Sequence, residues 1–193
     1  MPKYEVFNDE INCLKNPNYR ESVKKLLELV PDYFYEIPAS STGKYHPKYA
    51  LGIGGLVRHT KAAFAIGKEI LSLEGMSNFY NEREKDLLLI AIIFHDTFKS
   101  GLVHEKYTRF DHPLLAAKFI CDNQAITAFT TEDVKFLKKV ISSHMGEWNT
   151  NNYSNITLPK PEDKNEMFIH ICDYLASRKF IELNFSGKQL VKI

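Results

Sequence analysis

The chain has 193 residues, 44% of them hydrophobic, which is enough for one domain with a sizeable core and argues against disorder. Its 25 basic and 24 acidic residues leave a formal net charge of +1, so overall charge gives no reason to expect a nucleic acid or membrane partner. The three cysteines, Cys13, Cys121 and Cys172, are far apart and form no CxxC pair. Their pattern therefore predicts neither a disulfide framework nor a zinc ribbon.

The sequence shows no targeting or membrane segment. Residues 1–12 are mixed and polar, without the apolar core of a signal peptide. The longest apolar run, residues 87–94, is far shorter than the roughly 20 residues that a spanning helix needs. With reduced cysteines, these features predict a cytoplasmic protein with no membrane partner. No obligatory protein partner is evident, and a homo-oligomer is left open.

Helical periodicity dominates the first part of the chain. Asn18 is the predicted cap of a helix that ends before Pro31. A proline-bearing and aromatic loop follows, in which Lys44 and His46 either overhang a pocket or face solvent. Gly54 and its neighbours then allow a tight turn and close packing where the next helix begins.

That next helix is predicted from Leu56 to Leu73, and the one after it is the most apolar of the chain. Asn81 and Glu84 form a predicted capping box at its start. Its residues 87–94 are all apolar, which predicts a central helix surrounded by the others. It ends at His95 and Asp96, before Gly101.

Further helices are predicted after Asp111, from Thr131 to about His144, and from about Glu162 to Leu183. No alternating strand pattern, repeat or low-complexity tract appears. The chain is therefore predicted to be all-α, a bundle of six or seven helices that forms one domain over residues 1–193, with its core at about 44–180.

The dipeptide His95-Asp96 is unusual because it follows a buried apolar helix. An ionised carboxylate costs several kcal/mol to desolvate unless it is paired or bound to a metal. Imidazole and carboxylate donors recur near the ends or on the inward faces of the other predicted helices. The series is His59, His95, Asp96, His112, His144 and Asp173. Such donors, without thiolate, suit Mn, Fe, Zn or Mg, and six of them can hold two ions with one carboxylate bridging.

The order H…HD…H…H…D resembles that of the HD-domain metal-dependent phosphohydrolase superfamily. The similarity runs from about Lys44 to Lys179 and includes Gly-Gly-Leu-Val-Arg-His-Thr up to Thr60, His-Asp-Thr-Phe-Lys up to Lys99, and Ile-Cys-Asp-Tyr-Leu-Ala-Ser up to Ser177. The run Ile-Ser-Ser-His-Met-Gly-Glu-Trp, ending at Trp148, is similar to the HD domain of bacterial 3′→5′ exoribonucleases. At Met145 the chain departs from relatives that carry a second histidine.

The resemblance implies one divalent ion held by His59, His95, Asp96 and Asp173. A second ion, present in only some branches of the superfamily, would be held by Asp96, His112 and His144. The resemblance does not identify the ion, which is Mn, Fe, Mg, Ni or Zn. Asp96 and Lys99 are the predicted catalytic residues. Lys99, four residues after His95, is expected on the same helical face, where it would stabilise charge on a phosphate.

Further cations and an aromatic residue are candidate substrate contacts. They are Arg58, Lys106, Arg109, Trp148 and Arg178. The alternative for each cation is a surface salt bridge, and the alternative for Trp148 is a core position beneath its loop. His104 is interpreted as a solvated loop residue and His170 as a packing residue or a hydrogen-bond partner of the site.

The predicted function is that of a metal-dependent phosphohydrolase or phosphodiesterase, which would act on a nucleotide or the end of a nucleic acid strand. Two alternatives stay open at this point. Some HD-like proteins with six ligands are di-iron oxygenases, and a chain that has lost its activity would be a non-catalytic nucleotide-binding module.

Overall fold

The computed structural model of the chain describes residues 2–44, 46–181 and 184–191. Eight α-helices lie within these residues: α1 (Asn8–Cys13), α2 (Pro17–Leu29), α3 (Gly55–Ser72), α4 (Glu74–Ser77), α5 (Glu82–Phe94), α6 (His112–Asp122), α7 (Thr131–Ser142) and α8 (Lys164–Ala176). Short 3₁₀ helices cover Lys3–Phe7, Asp32–Tyr35, Lys48–Ala50 and Gln124–Ile126. The all-α prediction is confirmed. The described residues form more helices than the six or seven predicted. The additional ones, α1 and α4, have only 6 and 4 residues and were not predicted.

Helix α5 is the centre of the bundle. All nine residues from Asp86 to Phe94 are buried, so the helix has no solvent-facing stripe along this length. It packs against α3, α7 and α8, while α6 packs on α7 and α8 packs on α3. The residues that follow α5 therefore emerge in the interior of the molecule.

Local signals place the start of α5 as predicted. The Asn81 side chain accepts a hydrogen bond from the Glu84 backbone N–H, and the Glu84 side chain accepts one from the Asn81 backbone N–H. One turn further on, the buried Asp86 carboxylate accepts backbone hydrogen bonds from Lys15 (2.8 Å) and Asn16 (2.8 Å). Asp86 thus anchors the chain entering α2 to the central helix.

Two glycines allow the close approach of the chain at the start of α3. Gly54 has a φ of 71°, a conformation that favours glycine. A Cβ atom on Gly55 would lie 2.3 Å from the carbonyl oxygen of Ala50. The predicted tight turn and close packing at this point are confirmed.

Several predicted boundaries were wrong by a few residues. Asn16, and not Asn18, caps α2, since its side chain accepts from the Asn18 N–H and Pro17 is the first helical residue. Helix α7 begins at Thr131 as predicted, with Thr130 as its N-cap, but it ends at Ser142, two residues before the predicted end.

The C-terminal region differs more from its prediction. Helix α8 ends at Ala176, and the strands β1 (Phe185–Ser186) and β2 (Gln189–Leu190) form a small antiparallel hairpin. Two-residue strands are too short for an alternating pattern to reveal them. The predicted helix end at Leu183 lies outside the described residues. Within the part of the chain described, no helix is both long enough and apolar enough to cross a bilayer.

Candidate metal centre

The six predicted donors come from five different parts of the bundle. His59 lies in the second turn of α3, and His95 and Asp96 directly follow α5. His112 is the first residue of α6, His144 lies two residues after α7, and Asp173 is in the last turn of α8. The helices converge so that the ligand atoms form two groups around Asp96.

The first group consists of His59, His95, Asp96 and Asp173, and we call it the four-donor group. His59 Nε2 lies 2.9 Å from Asp173 Oδ1 and 3.6 Å from Asp96 Oδ2. His95 Nε2 lies 3.5 Å from each of the same two oxygens. Two imidazole nitrogens and two carboxylate oxygens therefore surround one point.

The second group consists of Asp96, His112 and His144, and we call it the three-donor group. His112 Nε2 lies 3.0 Å from Asp96 Oδ1, and His144 Nε2 lies 3.7 Å from the same oxygen. The two imidazole Nε2 atoms are 3.2 Å apart. The carboxylate of Asp96 thus faces the four-donor group with Oδ2 and the three-donor group with Oδ1.

Backbone carbonyls orient three of the imidazoles. The Nδ1 atoms of His95, His112 and His144 lie 2.7, 2.6 and 2.8 Å from the carbonyl oxygens of Ile92, Arg109 and Ile141. Two of these carbonyls belong to the last turns of helices, where they lack intrahelical partners. A donated Nδ1–H leaves Nε2 as the lone-pair atom directed at Asp96, which is the tautomer that a metal requires.

The charges of the group follow from burial and from its mutual contacts. Burial acts to raise the pKa of Asp96, but Lys99, His95 and His112 outweigh it and hold that pKa well below its usual range. Burial also opposes ionisation of Asp173, whose pKa His59 and His95 nevertheless hold well below its usual range. Both carboxylates are therefore anionic at neutral pH.

The pKa values of His95 and His144 shift in opposite directions. Burial acts to lower the pKa of His95, but the carboxylates of Asp96 and Asp173 raise it above its ordinary value. Burial, together with the rings of His95 and His112, lowers the pKa of His144 to about 3. His144 is therefore a neutral ring at any pH near neutrality.

The donor set fits divalent ions. His95 Nε2 is buried and has no hydrogen-bond partner among the described residues. The Nε2 atoms of His112 and His144 face each other. Because both rings direct Nδ1–H to a carbonyl oxygen, both of these Nε2 atoms carry lone pairs and neither can donate to the other. Two anionic carboxylates and converging imidazole nitrogens are costly to bury without a cation, and imidazole with carboxylate is a common ligand set for divalent metals.

Lys99 reaches the group by a route that differs from the prediction. Helix α5 ends at Phe94, and residues 95–101 form consecutive turns, so Lys99 does not share a helical face with His95. Its ammonium group instead forms an ion pair with Asp96 Oδ2 across a turn. The side chain is 12% exposed and lines the pocket described next, which places a positive charge between the carboxylate and that pocket.

A pocket of about 450 Å³, the main pocket, opens beside the donors and includes His112 and Asp173 in its wall. Trp148, Tyr174 and Arg178 form another part of the wall. The rings of Trp148 and Tyr174 stack with centroids 5.6 Å apart, and the Arg178 guanidinium lies 4.2 Å from the Tyr174 centroid. Trp148 is 44% exposed, so it is not the core residue that the alternative interpretation required.

The structure gives two of the candidate substrate contacts a different role. Arg58 donates to the carbonyl oxygens of residues 49, 51 and 53 at 2.5, 2.7 and 2.9 Å, which holds the loop before α3. Arg109 pairs with Glu105 at 2.8 Å and with Asp111 at 2.7 Å. Neither guanidinium lines the main pocket. Arg109 makes the salt bridges of the alternative interpretation, and Arg58 supports the loop before α3. The Asp111 carboxylate consequently makes no capping hydrogen bond to α6.

Other residues of the site were only partly foreseen. His46 lines the main pocket, with its ring 5.1 Å from that of His59, and burial above all lowers its pKa to about 3. Tyr174 was not singled out from the sequence. Its signal was the spacing of His170, Tyr174 and Arg178 at four-residue intervals, which places them along one face of α8 and its extension.

His170 acts through the backbone next to the site. Its Nδ1 lies 2.9 Å from the carbonyl oxygen of His144. This contact agrees with the interpretation of His170 as a hydrogen-bond partner of the site. The ring packs on Gly146, where a Cβ atom would lie 2.2 Å from His170 Cε1 and where φ is 61°. His170 and Gly146 therefore fix the turn that carries His144.

Comparison with known proteins agrees with this geometry. The HD domain family model matches residues 56–178, a range that includes all six donors. The chain is similar to the 3′-5′ exoribonuclease YhaM of Geobacillus sp. (strain WCH70), with 25% identity over 200 aligned positions covering 98% of this chain and 55% of that protein. The chain thus spans about half the length of this relative. No solved structure matches it. Since the family match covers more than half of the chain, this protein belongs to the HD domain family.

Proposed function

We propose that the protein is a metal-dependent phosphohydrolase that cleaves a phosphate ester of a nucleotide or of a nucleic acid strand end. The observation that carries this proposal is the convergence of two donor groups on Asp96, with His112 and Asp173 in the wall of the main pocket. A site with one bridging carboxylate and an adjoining pocket is suited to two-metal hydrolysis of phosphate esters.

The residues have separate roles in the proposed reaction. His59, His95, Asp96 and Asp173 would hold one divalent ion, and Asp96, His112 and His144 a second. Ions bound there would activate a water and neutralise charge on the phosphate oxygens. Lys99 lies between Asp96 and the pocket and would stabilise negative charge on the phosphate.

Two observations support a nucleotide or strand end as the substrate. Trp148 and Arg178 offer an aromatic ring and a cation in the pocket wall, and such groups bind nucleobases by stacking. The similar YhaM protein is named as an exoribonuclease. The main pocket, at about 450 Å³, is in the size range typical of small-molecule sites.

A hydrolysis panel tests the proposal. The Mn²⁺-loaded protein should hydrolyse bis(p-nitrophenyl) phosphate and release nucleoside monophosphate from short oligonucleotides. His95→Ala should reduce both rates to background, because it removes a ligand of the four-donor group. The matched control is Asp122→Asn, which alters an exposed carboxylate paired with Lys118 on α6. Hydrolysis that survives both His95→Ala and chelation would contradict the proposal.

The protein loaded with other metals distinguishes hydrolysis from the two alternatives, an oxygenase and a nucleotide-binding module. Imidazole and carboxylate ligands also suit iron, so an iron-loaded sample should be tested in an oxygen electrode. Substrate-dependent oxygen consumption without phosphate release would favour an oxygenase. Nucleotide binding without turnover under Mn²⁺, Ni²⁺, Fe²⁺, Zn²⁺ and Mg²⁺ would favour a binding module.

A further inference from the structure

We infer that a second, smaller cavity beside the main pocket binds an additional phosphate group of the substrate. This side pocket has a volume of about 130 Å³. Its polar lining is formed by Ser41, Lys99, Ser100, His104, Lys106 and Thr108. It shares Lys99 and Thr108 with the main pocket, so the two cavities adjoin each other. The inference rests on the proposed function and names the substrate class more closely.

The chemistry of the side pocket suits an anion. Besides Ile37 and Pro38, its wall combines three basic side chains with three hydroxyl groups, and none of the described residues that line it is acidic. Lysine, histidine and hydroxyl donors are common partners of phosphate oxygens.

The acids of the neighbouring loop are directed elsewhere. Residues 102–111 contain two carboxylates, Glu105 and Asp111, and Arg109 pairs with both. Neither acid lines the side pocket. The ammonium of Lys106, which also lies 5.2 Å from the centre of the Tyr107 ring, therefore adds positive charge to the wall without an acid beside it in the lining.

The wall is held in place before any ligand binds. The Tyr33 hydroxyl donates to the Gly101 carbonyl oxygen at 2.5 Å, and the His104 ring stacks on Tyr33 with centroids 5.2 Å apart. The backbone N–H groups of Glu105 and Arg109 donate to the carbonyl oxygens of Ser100 (2.9 Å) and Lys99 (2.8 Å). A preformed wall lowers the cost of ordering the loop when a ligand binds.

The position of Lys99 indicates which phosphate would bind. Its ammonium group pairs with Asp96 at the metal centre, and its side chain also borders the side pocket. A phosphate in the side pocket would thus lie next to the reacting phosphate in the main pocket. The substrate class is therefore a nucleotide with a second, neighbouring phosphate, and a nucleoside monophosphate would leave the side pocket without a phosphate.

The test compares ligands that differ by one phosphate. KM for cleavage of a dinucleotide by the Mn²⁺-loaded protein should be about tenfold lower when its 5′ end is phosphorylated, as expected for one charge-assisted contact. The ratio of the two KM values should approach one in Lys106→Ala and recover in Lys106→Arg. Lys118→Ala, which removes an exposed lysine of α6, should keep the wild-type ratio.

A binding measurement separates this inference from the proposed function. Calorimetric titration of the same two dinucleotides requires no turnover. Preferential binding of the phosphorylated form that depends on Lys106 supports the side pocket, even if no substrate is cleaved and the proposed function fails. Equal binding of both forms, or a preference that Lys106→Ala leaves intact, overturns the inference even if hydrolysis is observed.

A second pair of ligands identifies the source of the extra phosphate. In the pair of nucleoside diphosphate and monophosphate, the extra phosphate is attached to the phosphate of the same nucleotide. In the pair of dinucleotides, the extra phosphate is attached to the 5′ nucleotide, next to the linkage that is cleaved. A Lys106-dependent preference for the dinucleotide alone assigns the side pocket to a strand end. The same preference for the diphosphate assigns it to a diphosphate group.

Discussion

The two donor groups around Asp96 differ in charge and in their number of donors. The four-donor group has two carboxylates and two imidazoles, and the three-donor group has two imidazoles and shares its only carboxylate. Because more anionic donors bind a divalent cation more tightly, the four-donor group is expected to be the stronger site. The three-donor group has fewer protein donors, which leaves more coordination positions for substrate on an ion bound there. Both groups border the main pocket, the four-donor group through Asp173 and the three-donor group through His112.

The groups also differ in their scaffold. The four-donor group is built on α3, α8 and the end of α5, three helices that pack on one another. The three-donor group adds the start of α6 and the turn after α7, which Gly146 and His170 support. Because the two groups rest on different elements, we expect that the four-donor group can be kept while the three-donor group is changed.

Asp96→Ala should have the largest effect, since it removes the one ligand that both groups share. We expect the metal content to fall to near zero and hydrolysis to fall by more than about 1,000-fold, the upper range for loss of a single electrostatic contact. Elemental analysis and the assay with bis(p-nitrophenyl) phosphate measure the two effects. Asp122→Asn is the control. Two retained ions in a folded Asp96→Ala protein would show that the groups do not depend on one bridge.

His112→Ala should separate the two groups. It removes a ligand of the three-donor group only, so the protein should retain one ion and lose most of its activity. His59→Ala removes a ligand of the four-donor group and should weaken the tighter site instead. Metal titration followed by calorimetry distinguishes the outcomes. Identical losses in the two variants would mean that the groups bind metal as one unit.

Lower pH should weaken metal binding through protonation of His95. The pKa of His95 is raised, so a proton competes for its Nε2 up to and above the ordinary histidine value of about 6.5. His144, whose pKa is lowered to about 3, takes up no proton in this range. The Mn²⁺ affinity should therefore fall between pH 8 and pH 6, with proton release on binding measured in buffers of different ionisation enthalpy. A constant affinity over this range would contradict the assignment.

Gly146→Ala should destabilise the turn that supports the three-donor group. The new Cβ would combine a positive φ with a clash against the His170 ring, and strain of this kind costs about 1–3 kcal/mol. Gly54→Ala is the matched control, because its φ is also positive but the nearest atom to its Cβ would be Lys188 Cε at 3.0 Å. Urea unfolding should show the larger loss for Gly146→Ala. Equal losses would argue against a special role for the contact with His170.

The sequence predicted the donors better than their surroundings. His95 and Asp96 could be predicted because an apolar helix ended in a histidine and a carboxylate, and the start of that helix had a readable cap. Arg58 and Arg109 could not be placed, because a guanidinium bonds equally well to a phosphate, a carbonyl or a carboxylate. Tertiary contacts decide among these partners. Lys99 was expected on a helix, but the chain leaves the helix at Phe94.

We expect the Asp96 carboxylate to bridge two bound ions. Crystals of the Mn²⁺-loaded protein, measured for anomalous diffraction, test it most directly. We predict two anomalous peaks on opposite sides of Asp96, one beside Oδ2 among His59, His95 and Asp173, and the other beside Oδ1 between His112 and His144. A single peak away from Asp96, or no peak at saturating Mn²⁺, would contradict it.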